Sequence, residues 1–138
     1  MRLISHRGNL TGPSDDANKP SYVCEALNQG FDCEIDVWRI ADKFYLGHDE
    51  PQYEVSLDFL HTQNLWIHAK NLEALSSLSP HTCFFWHQND DFALTSNNLI
   101  WTFPNKKVGK RSVIVDNTPE WKSKEYNCFG VCSDYIDV

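Results

Sequence analysis

The stretch that decides the fold reads Phe31-Asp32-Cys33-Glu34-Ile35-Asp36-Val37-Trp38. It is rich in β-branched and aromatic residues, contains no proline and follows the turn-forming Gly30, which together predict a β-strand. Because side chains alternate along a strand, Glu34 and Asp36 share one face. A pair of carboxylates is costly to bury without a partner. The strand therefore carries either a solvated acidic face or a site for a hard cation such as Mg²⁺ or Ca²⁺.

The composition limits the class of protein. The chain has 138 residues, which suits a single domain over 1–138, and its 41% hydrophobic residues are enough for a core. The formal net charge of −7 argues against a nucleic-acid partner. No apolar run reaches the length of a membrane span, and Met1-Arg2 leads straight into a strand pattern, so neither stable membrane insertion nor a signal peptide is expected.

The cysteines indicate a reducing compartment. There are five of them, an odd number, and no C-x-x-C pair occurs. Cys33 and Cys83 lie inside strand patterns. Buried reduced thiols are therefore a better interpretation than a zinc site or a disulfide framework, and the sequence predicts a cytoplasmic location.

Strand patterns alternate with loops and short helical segments along the chain. The strand-like runs, apart from a hairpin arm at 44–48, are residues 2–6, 31–38, 65–70, 82–87, 99–103, 112–116 and 129–134. Short helical segments are predicted over 21–29, 56–62, 71–78, 90–95 and 118–126. Alternation of this kind favours a parallel α/β sheet.

Polar residues gather where these runs end. They are His6, Asp36, His68 with Lys70, His87, Asp116 and Asp134. In a β/α barrel the carboxyl ends of the strands form the active-site mouth. We therefore predict a reduced TIM-type β/α barrel of about seven or eight strands, with short or missing helices because an ordinary barrel needs about 250 residues. An open, doubly wound sheet is the competing architecture.

Three motifs resemble the glycerophosphodiester phosphodiesterase family, which belongs to the phosphatidylinositol-phospholipase-C-like phosphodiesterase superfamily. They are His6-Arg7-Gly8, Glu34-x-Asp36 and Gly47-His48-Asp49. Lys70 at the end of the third strand and Cys132-Ser133-Asp134-Tyr135 are also similar to the later strands of the family. The match covers the first half of the chain well and the second half weakly.

The resemblance implies a metal-dependent phosphoric diester hydrolase of lipid metabolism, acting on small glycerophosphodiester-type substrates from a TIM-type barrel. It implies that His6 and His48 are the general acid–base pair and that Glu34 and Asp36 are metal ligands. His68 stands where the family usually has a glutamate. The first loop reads Ala17-Asn18-Lys19-Pro20 where the family usually has a Glu-Asn pair.

The residues suit these roles on physical grounds as well. Arg7 offers a planar fork to two phosphate oxygens, and Lys70 adds a second cation for the phosphate. His6 and His48 titrate near neutrality, so one can accept a proton while the other donates one. The paired carboxylates suit Mg²⁺ or Ca²⁺, and if His68 completes the ligand set, Mn²⁺ is tolerated as well. If it does not, His68 is a hydrogen-bonded histidine at the mouth.

Two classes of function stay open from the sequence. The first is an enzyme that hydrolyses small phosphodiesters. The second is a catalytically impaired barrel that binds a phosphodiester or phosphate without turnover, which the histidine at position 68 favours. The basic run of Lys106, Lys107, Lys110 and Arg111 is either a solvated loop or a site of attraction for an anionic headgroup. The sequence leaves the oligomeric state open.

Overall fold

The computed structural model describes all residues from 1 to 138. Its ten strands are β1 (Arg2–His6), β2 (Asp32–Ile40), β3 (Lys43–Leu46), β4 (Tyr53–Val55), β5 (Leu65–Ala69), β6 (Cys83–Phe85), β7 (Phe92–Leu94), β8 (Ile100–Thr102), β9 (Ser112–Val115) and β10 (Gly130–Ser133). The α-helices are α1 (Pro20–Asn28), α2 (Leu57–Leu60) and α3 (Leu72–Ser77), and a 3₁₀ turn covers Trp121–Lys124.

The strands form one mixed sheet centred on β2. One edge of β2 pairs in parallel with β5, which in turn pairs with β6. The other edge pairs first with β1 and then, further along, with the antiparallel hairpin of β3 and β4. Beyond β1 the order continues β10, β9, β8, all parallel, and ends on the antiparallel edge strand β7.

The sheet curls into a half-barrel with aromatic residues inside it. Phe85 on β6 and Trp101 on β8, from distant parts of the strand order, stack with ring centroids 4.4 Å apart. Two hydrogen bonds between the backbone of Phe84 and Ser96 also connect the two ends of the sheet. The ends therefore meet through side chains and isolated bonds, without a shared strand ladder.

Helices pack on the outer face of the sheet, over β2 and β5. The outward residues of these strands are Cys33, Ile35, Val37, Ile67 and Ala69, and all are fully buried. They form one cluster with Val23 of α1, Leu60 of α2 and Ala74 of α3. The alternation read from the sequence predicts this outward set, and the structure confirms it.

Local signals explain where these helices begin. Proline opens α1 at its first position, where no backbone N–H is needed. Ser56 accepts a hydrogen bond from the Phe59 N–H to cap α2, and Asn71 accepts one from the Ala74 N–H to cap α3. Asn71 also bonds both backbone groups of Arg39 in β2, so it fixes α3 to the end of the central strand.

The prediction of a reduced TIM-type barrel with seven or eight strands is wrong. A TIM barrel requires a helix after each of eight parallel strands, whereas this sheet has ten strands, mixed directions and three short α-helices. The connections from β6 to β9 contain no helix at all. A chain of 138 residues supplies too few residues for eight full β/α units. The open, doubly wound alternative does not hold either, because the sheet curls and its inner face is filled by side chains.

Two smaller predictions also need correction. Residues 90–95 are not helical: they contain β7, whose Ala93 faces the inner aromatic cluster while Phe92 and Leu94 are exposed. Strand β4 was not expected, and it pairs only with β3. The 44–48 arm is a hairpin strand as predicted.

Candidate functional site

The predicted metal ligands meet at the carboxyl end of β5 and beside the part of β2, Cys33–Val37, that pairs with it. Asp36 and His68 are direct partners in the parallel register of these strands. Glu34 lies two residues before Asp36 and therefore on the same face. One ligand atom from each of these three side chains lies within 4.8 Å of the others, and both carboxylates are buried. The strand register thus assembles a carboxylate–carboxylate–imidazole group from residues 34 positions apart along the chain.

Both ring nitrogens of His68 face oxygen acceptors. Nδ1 lies 3.1 Å from Asp36 Oδ1, and Nε2 lies 2.8 Å from the backbone carbonyl of His87. The ring also stacks on Phe85, with centroids 5.2 Å apart, which fixes its plane. A neutral imidazole has one N–H, so it satisfies only one of the two acceptors. The His87 carbonyl and the Asp36 carboxylate are both acceptors, so whichever ring nitrogen carries the hydrogen, the other faces an acceptor to which it does not donate.

Asp36 is held by groups from three segments. The Asn18 side chain donates to Asp36 Oδ2 over 2.9 Å and accepts from the Asp36 backbone N–H over 3.0 Å. Arg7 Nε lies 3.0 Å from the same carboxylate oxygen, without the alignment of a hydrogen bond. Burial alone would raise the pKa of Asp36, but the hydrogen bond with His68 and the charge of Arg7 outweigh it and hold the pKa below its usual range. Asp36 is therefore ionised at neutral pH.

Glu34 is the unsatisfied member of the group. Its side chain is almost fully buried, and Oε1 has no hydrogen-bond partner. Burial, followed by the charge of Asp36, raises its pKa well above the usual range for a glutamate. A buried carboxylate oxygen without a partner costs free energy that a cation ligand would offset. The oxygen-rich donor set and this orphaned oxygen fit a divalent cation.

His6 is oriented by a carboxylate from the last strand. Its Nδ1 lies 2.7 Å from Asp134 Oδ1, which also accepts a hydrogen bond of 2.8 Å from Asn9. This contact leaves Nε2 facing the cluster, 3.8 Å from Glu34 Oε1. Burial would raise the pKa of Asp134, but the contacts with His6 and Asn9 lower it overall, so the carboxylate stays charged. A fixed Nδ1–H donor makes Nε2 the proton-accepting atom of a neutral His6.

Arg7 and His48 line a small cleft beside the buried group. The cleft has a volume of about 190 Å³ and is also lined by Asn18. The Arg7 backbone adopts a left-handed conformation with φ of 62° and donates to the Glu34 carbonyl over 2.9 Å. This turn directs the chain into Gly8, where a Cβ would lie 2.6 Å from Tyr22. The tight His-Arg-Gly turn therefore brings the Arg7 side chain next to Asp36 of β2.

His48 lies at the outer part of this cleft. Its side chain is 45% exposed, and Nδ1 lies 2.8 Å from Asp49 Oδ1. Its loop is fixed to β2, because the Trp38 indole donates to the Gly47 carbonyl over 2.7 Å. Partial burial and then the charge of Arg7 lower the pKa of His48 below the usual value of 6.5. His48 is therefore mostly neutral at physiological pH, the state of a proton acceptor.

Lys70 follows β5 at the same end of the sheet. Its backbone N–H donates to the Val37 carbonyl over 2.8 Å, and its ammonium has no carboxylate within ion-pair distance. The charge of Lys70 lowers the pKa values of Glu34 and His48, which places it within electrostatic reach of both. Arg7 and Lys70 therefore give this acidic group two nearby cations.

The structure adds residues that the sequence did not single out. Asn18 and Asn9 are both buried, and each bonds a carboxylate of the site. For Asp134 the sequence predicts only a place at the end of a strand, within a motif similar to the later strands of the family. The comparison of Ala17-Asn18 with the family's Glu-Asn pair was the one signal for Asn18, while Asn9 carried none, because its partner lies 125 positions away. Only the folded register reveals their role.

A second cleft lies at the opposite ends of the strands. It has a volume of about 330 Å³ and contains Asp32, whose side chain binds Arg2 at 3.3 Å and the Trp66 indole at 3.0 Å. Its buried carboxylate is therefore already paired, unlike Glu34, and we place the candidate site at the other end.

Comparison with known proteins finds no match: no family model, no curated protein and no solved structure is significantly similar to the chain. The resemblance to glycerophosphodiester phosphodiesterases therefore depends on the motifs alone. None of the helices is long and apolar enough to cross a membrane.

Proposed function

We propose that this protein is a metal-assisted phosphodiesterase that hydrolyses small glycerophosphodiester-type substrates. The observation that carries the proposal is the buried, unpartnered Glu34 carboxylate next to Asp36 and His68, with two cations at the same end of the sheet. In such a site the carboxylates can bind a cation, and the basic side chains next to them can bind an anionic substrate that also contacts the cation.

Glu34, Asp36 and His68 would hold the divalent cation. Two carboxylates suit Mg²⁺ or Ca²⁺, and the imidazole makes Mn²⁺ acceptable as well. When bound, such a cation offsets the negative charge that builds up on the phosphate oxygens during displacement. It would also give Glu34 Oε1 the partner that it lacks.

Arg7 and Lys70 would hold the phosphate. Nε of Arg7 is directed to Asp36, which leaves its terminal nitrogens for the ligand. Lys70 makes no ion pair with a carboxylate of the chain, so its charge is available. The positive charges of Arg7 and Lys70 would attract an anionic ligand to a position next to the buried carboxylates.

His6 and His48 would move the protons. With its Nδ1–H held by Asp134, His6 presents Nε2 to the cluster. His48 is mostly neutral because its pKa is lowered, so it is suited to accept the proton of the attacking oxygen. His6 then suits the donor to the departing alcohol when Nε2 also carries a proton, with its Nδ1–H held by the charged Asp134. The attacking oxygen comes either from a neighbouring hydroxyl of the substrate, which gives a cyclic phosphate, or from water.

A protein that binds a phosphate or phosphodiester without turnover is the second candidate. Arg7 lies 3.0 Å from Asp36, so part of its charge is already used inside the protein. His68 likewise bonds Asp36 directly. Pairing of this kind favours a site in which binding has been kept and chemistry lost. Metal binding without product formation would support this candidate.

We propose the cytoplasm as the compartment. All five cysteines are free thiols. Burial raises the pKa of Cys33 and Cys132 well above the usual value, so both are unreactive thiols inside the sheet. Reduced, buried thiols are typical of proteins in reducing compartments.

Substitution of the two histidines tests the acid–base assignment. We expect His6→Ala and His48→Ala each to lower turnover of an unactivated glycerophosphodiester roughly 10²–10⁴-fold while stabilisation of the protein by Mn²⁺ is kept. With a p-nitrophenyl diester, whose leaving group departs without a proton, loss of His6 should matter much less than loss of His48. His61→Ala and His81→Ala are matched controls, because both side chains are exposed and lie outside the site. Full turnover of the unactivated diester by either site variant would exclude the pair.

A further inference from the structure

The outer face of the sheet is uncovered on one side. Helices cover β2 and β5, but the connections between β6, β7, β8 and β9 contain none. The outward residues of edge strand β7, Phe92 and Leu94, are consequently 49% and 65% exposed. Exposed apolar side chains on an edge strand normally mark a binding surface or an aggregation hazard.

A groove runs between this bare face and the loop that leads to β9. It has a volume of about 510 Å³ and is lined by Phe92, Ile100 and Val108 together with the stems of Lys107, Lys110 and Arg111. We call this surface the basic apolar face and define it by these residues and Leu94. Two further aromatic side chains, Trp86 and Phe103, are about 40% exposed where β6 and β8 end.

The charge of this region is opposite to that of the rest of the chain. Residues 83–112 contain four Lys or Arg and two Asp or Glu. The whole chain contains twelve and nineteen, so the other residues hold eight cations and seventeen carboxylates. Of the basic side chains here, Lys106 pairs with Asp91 at 3.5 Å, while Lys107 and Lys110 are exposed and have no carboxylate partner.

The positive charge and the exposed apolar side chains of the basic apolar face favour one kind of binding partner over another. In a twofold dimer through the basic apolar face, each copy would bring the same lysines against its partner, and like charges would meet. An anionic lipid surface instead offers negative headgroups to the lysines and an apolar layer to Phe92 and Leu94. The combination of a basic rim with apolar tips is the pattern of peripheral membrane binding.

We propose that the basic apolar face docks this protein reversibly on an anionic lipid surface. Lys107 and Lys110 contact the headgroups, and Phe92 and Leu94 enter the boundary between headgroups and acyl chains. The groove includes Ile100 and Ser112, the first residues of β8 and β9, so its basic side lies at the amino ends of these strands and is separate from the candidate site. The proposal stands whether or not the candidate site turns over a diester.

Vesicle sedimentation of the full chain tests the proposal without any substrate. We expect binding to phosphatidylcholine vesicles that contain phosphatidylserine, weak binding to phosphatidylcholine alone, and loss of binding at high salt. Replacing Lys107→Glu and Lys110→Glu together should weaken binding roughly 30-fold or more, because each basic residue near an anionic leaflet is worth about 1 kcal/mol. Phe92→Ser with Leu94→Ser should weaken it roughly tenfold.

Matched variants on other surfaces are the controls. Lys19→Glu with Lys43→Glu makes the same change in net charge, and Leu57→Ser with Leu72→Ser removes two exposed leucines from helices. Both control pairs should bind as the unchanged protein does. Equal binding to neutral and anionic vesicles, an equal loss in the control pairs, or a dimer in solution that Phe92→Ser with Leu94→Ser dissociates would overturn the proposal.

Discussion

At the scale of single residues, the most informative side chain is Glu34. Sequence alternation predicted that it shares a face with Asp36, and the register with β5 places His68 beside both. The difference between the two carboxylates was not predictable from the sequence. Asp36 receives Asn18 and Arg7 from the first loop, while Glu34 Oε1 receives nothing. That contrast arises from loop contacts with no sequence periodicity.

The raised pKa of Glu34 predicts how stability depends on pH when no metal is present. The folded state keeps the Glu34 proton to a higher pH than the unfolded chain does. The contribution of this group to the free energy of unfolding therefore falls as the pH rises above the pKa of Glu34 in the unfolded chain. We expect Glu34→Gln to remove this loss. In urea unfolding with a chelator, the variant should be more stable than the unchanged protein by roughly 1–3 kcal/mol at about pH 8 and nearly equal at about pH 5. A variant that is less stable at the higher pH would contradict the assignment.

The lowered pKa of His48 gives a second prediction at this scale. Partial burial and then the charge of Arg7 favour the neutral ring, so His48 should titrate below 6.5 in an NMR experiment on its ring protons. Arg7→Gln removes one of the two main causes and should move the His48 pKa upwards. The exposed His61 is the reference in the same spectra. A His48 pKa at or above its ordinary value, unmoved by Arg7→Gln, would show that the two groups do not share a cleft.

At the scale of elements, the hairpin of β3 and β4 and the loop between its strands position His48. The loop turns sharply at Gly47, whose φ is 156° and where a Cβ would lie 2.0 Å from the Glu50 carbonyl oxygen. The hairpin arm was predicted from the sequence, but β4 was missed because three residues in a polar segment carry little pattern. Strand β7 was missed for the same reason and because its neighbours are polar.

Replacement of Gly47 tests whether this loop must keep its turn. Gly47→Ala should destabilise the protein by about 1–3 kcal/mol or more and lower turnover, because the Cβ forces the His48 loop to move. Gly109→Ala is the matched control: its added Cβ would meet nothing within 4 Å, and we expect a change within about 0.5 kcal/mol. Urea unfolding of both variants measures the difference. Equal stability of the two variants would mean that the loop adapts freely.

At the scale of the whole molecule, the sequence predicted the common direction of the main strands and the end at which polar residues gather. Seven strands of the sheet are parallel, and the predicted ligands lie at their carboxyl ends. The TIM-type barrel was wrong, since the connections between β6 and β9 contain no helix. The missing helices also expose the outer face of β7, a consequence that strand patterns alone do not show.

The central claim is that the group of Glu34, Asp36 and His68 supports metal-dependent cleavage of a phosphodiester. Phosphorus NMR of a glycerophosphodiester incubated with the protein tests it most directly, because diester, cyclic phosphate and monoester give separate signals. The account predicts that the diester signal is lost when Mg²⁺, Ca²⁺ or Mn²⁺ is present and that it persists with a chelator. The rate should fall by roughly 10²-fold or more in Glu34→Gln. It should be unchanged in Glu73→Gln, whose side chain is exposed. A diester signal that persists with all three ions, or cleavage that Glu34→Gln leaves intact, would contradict it.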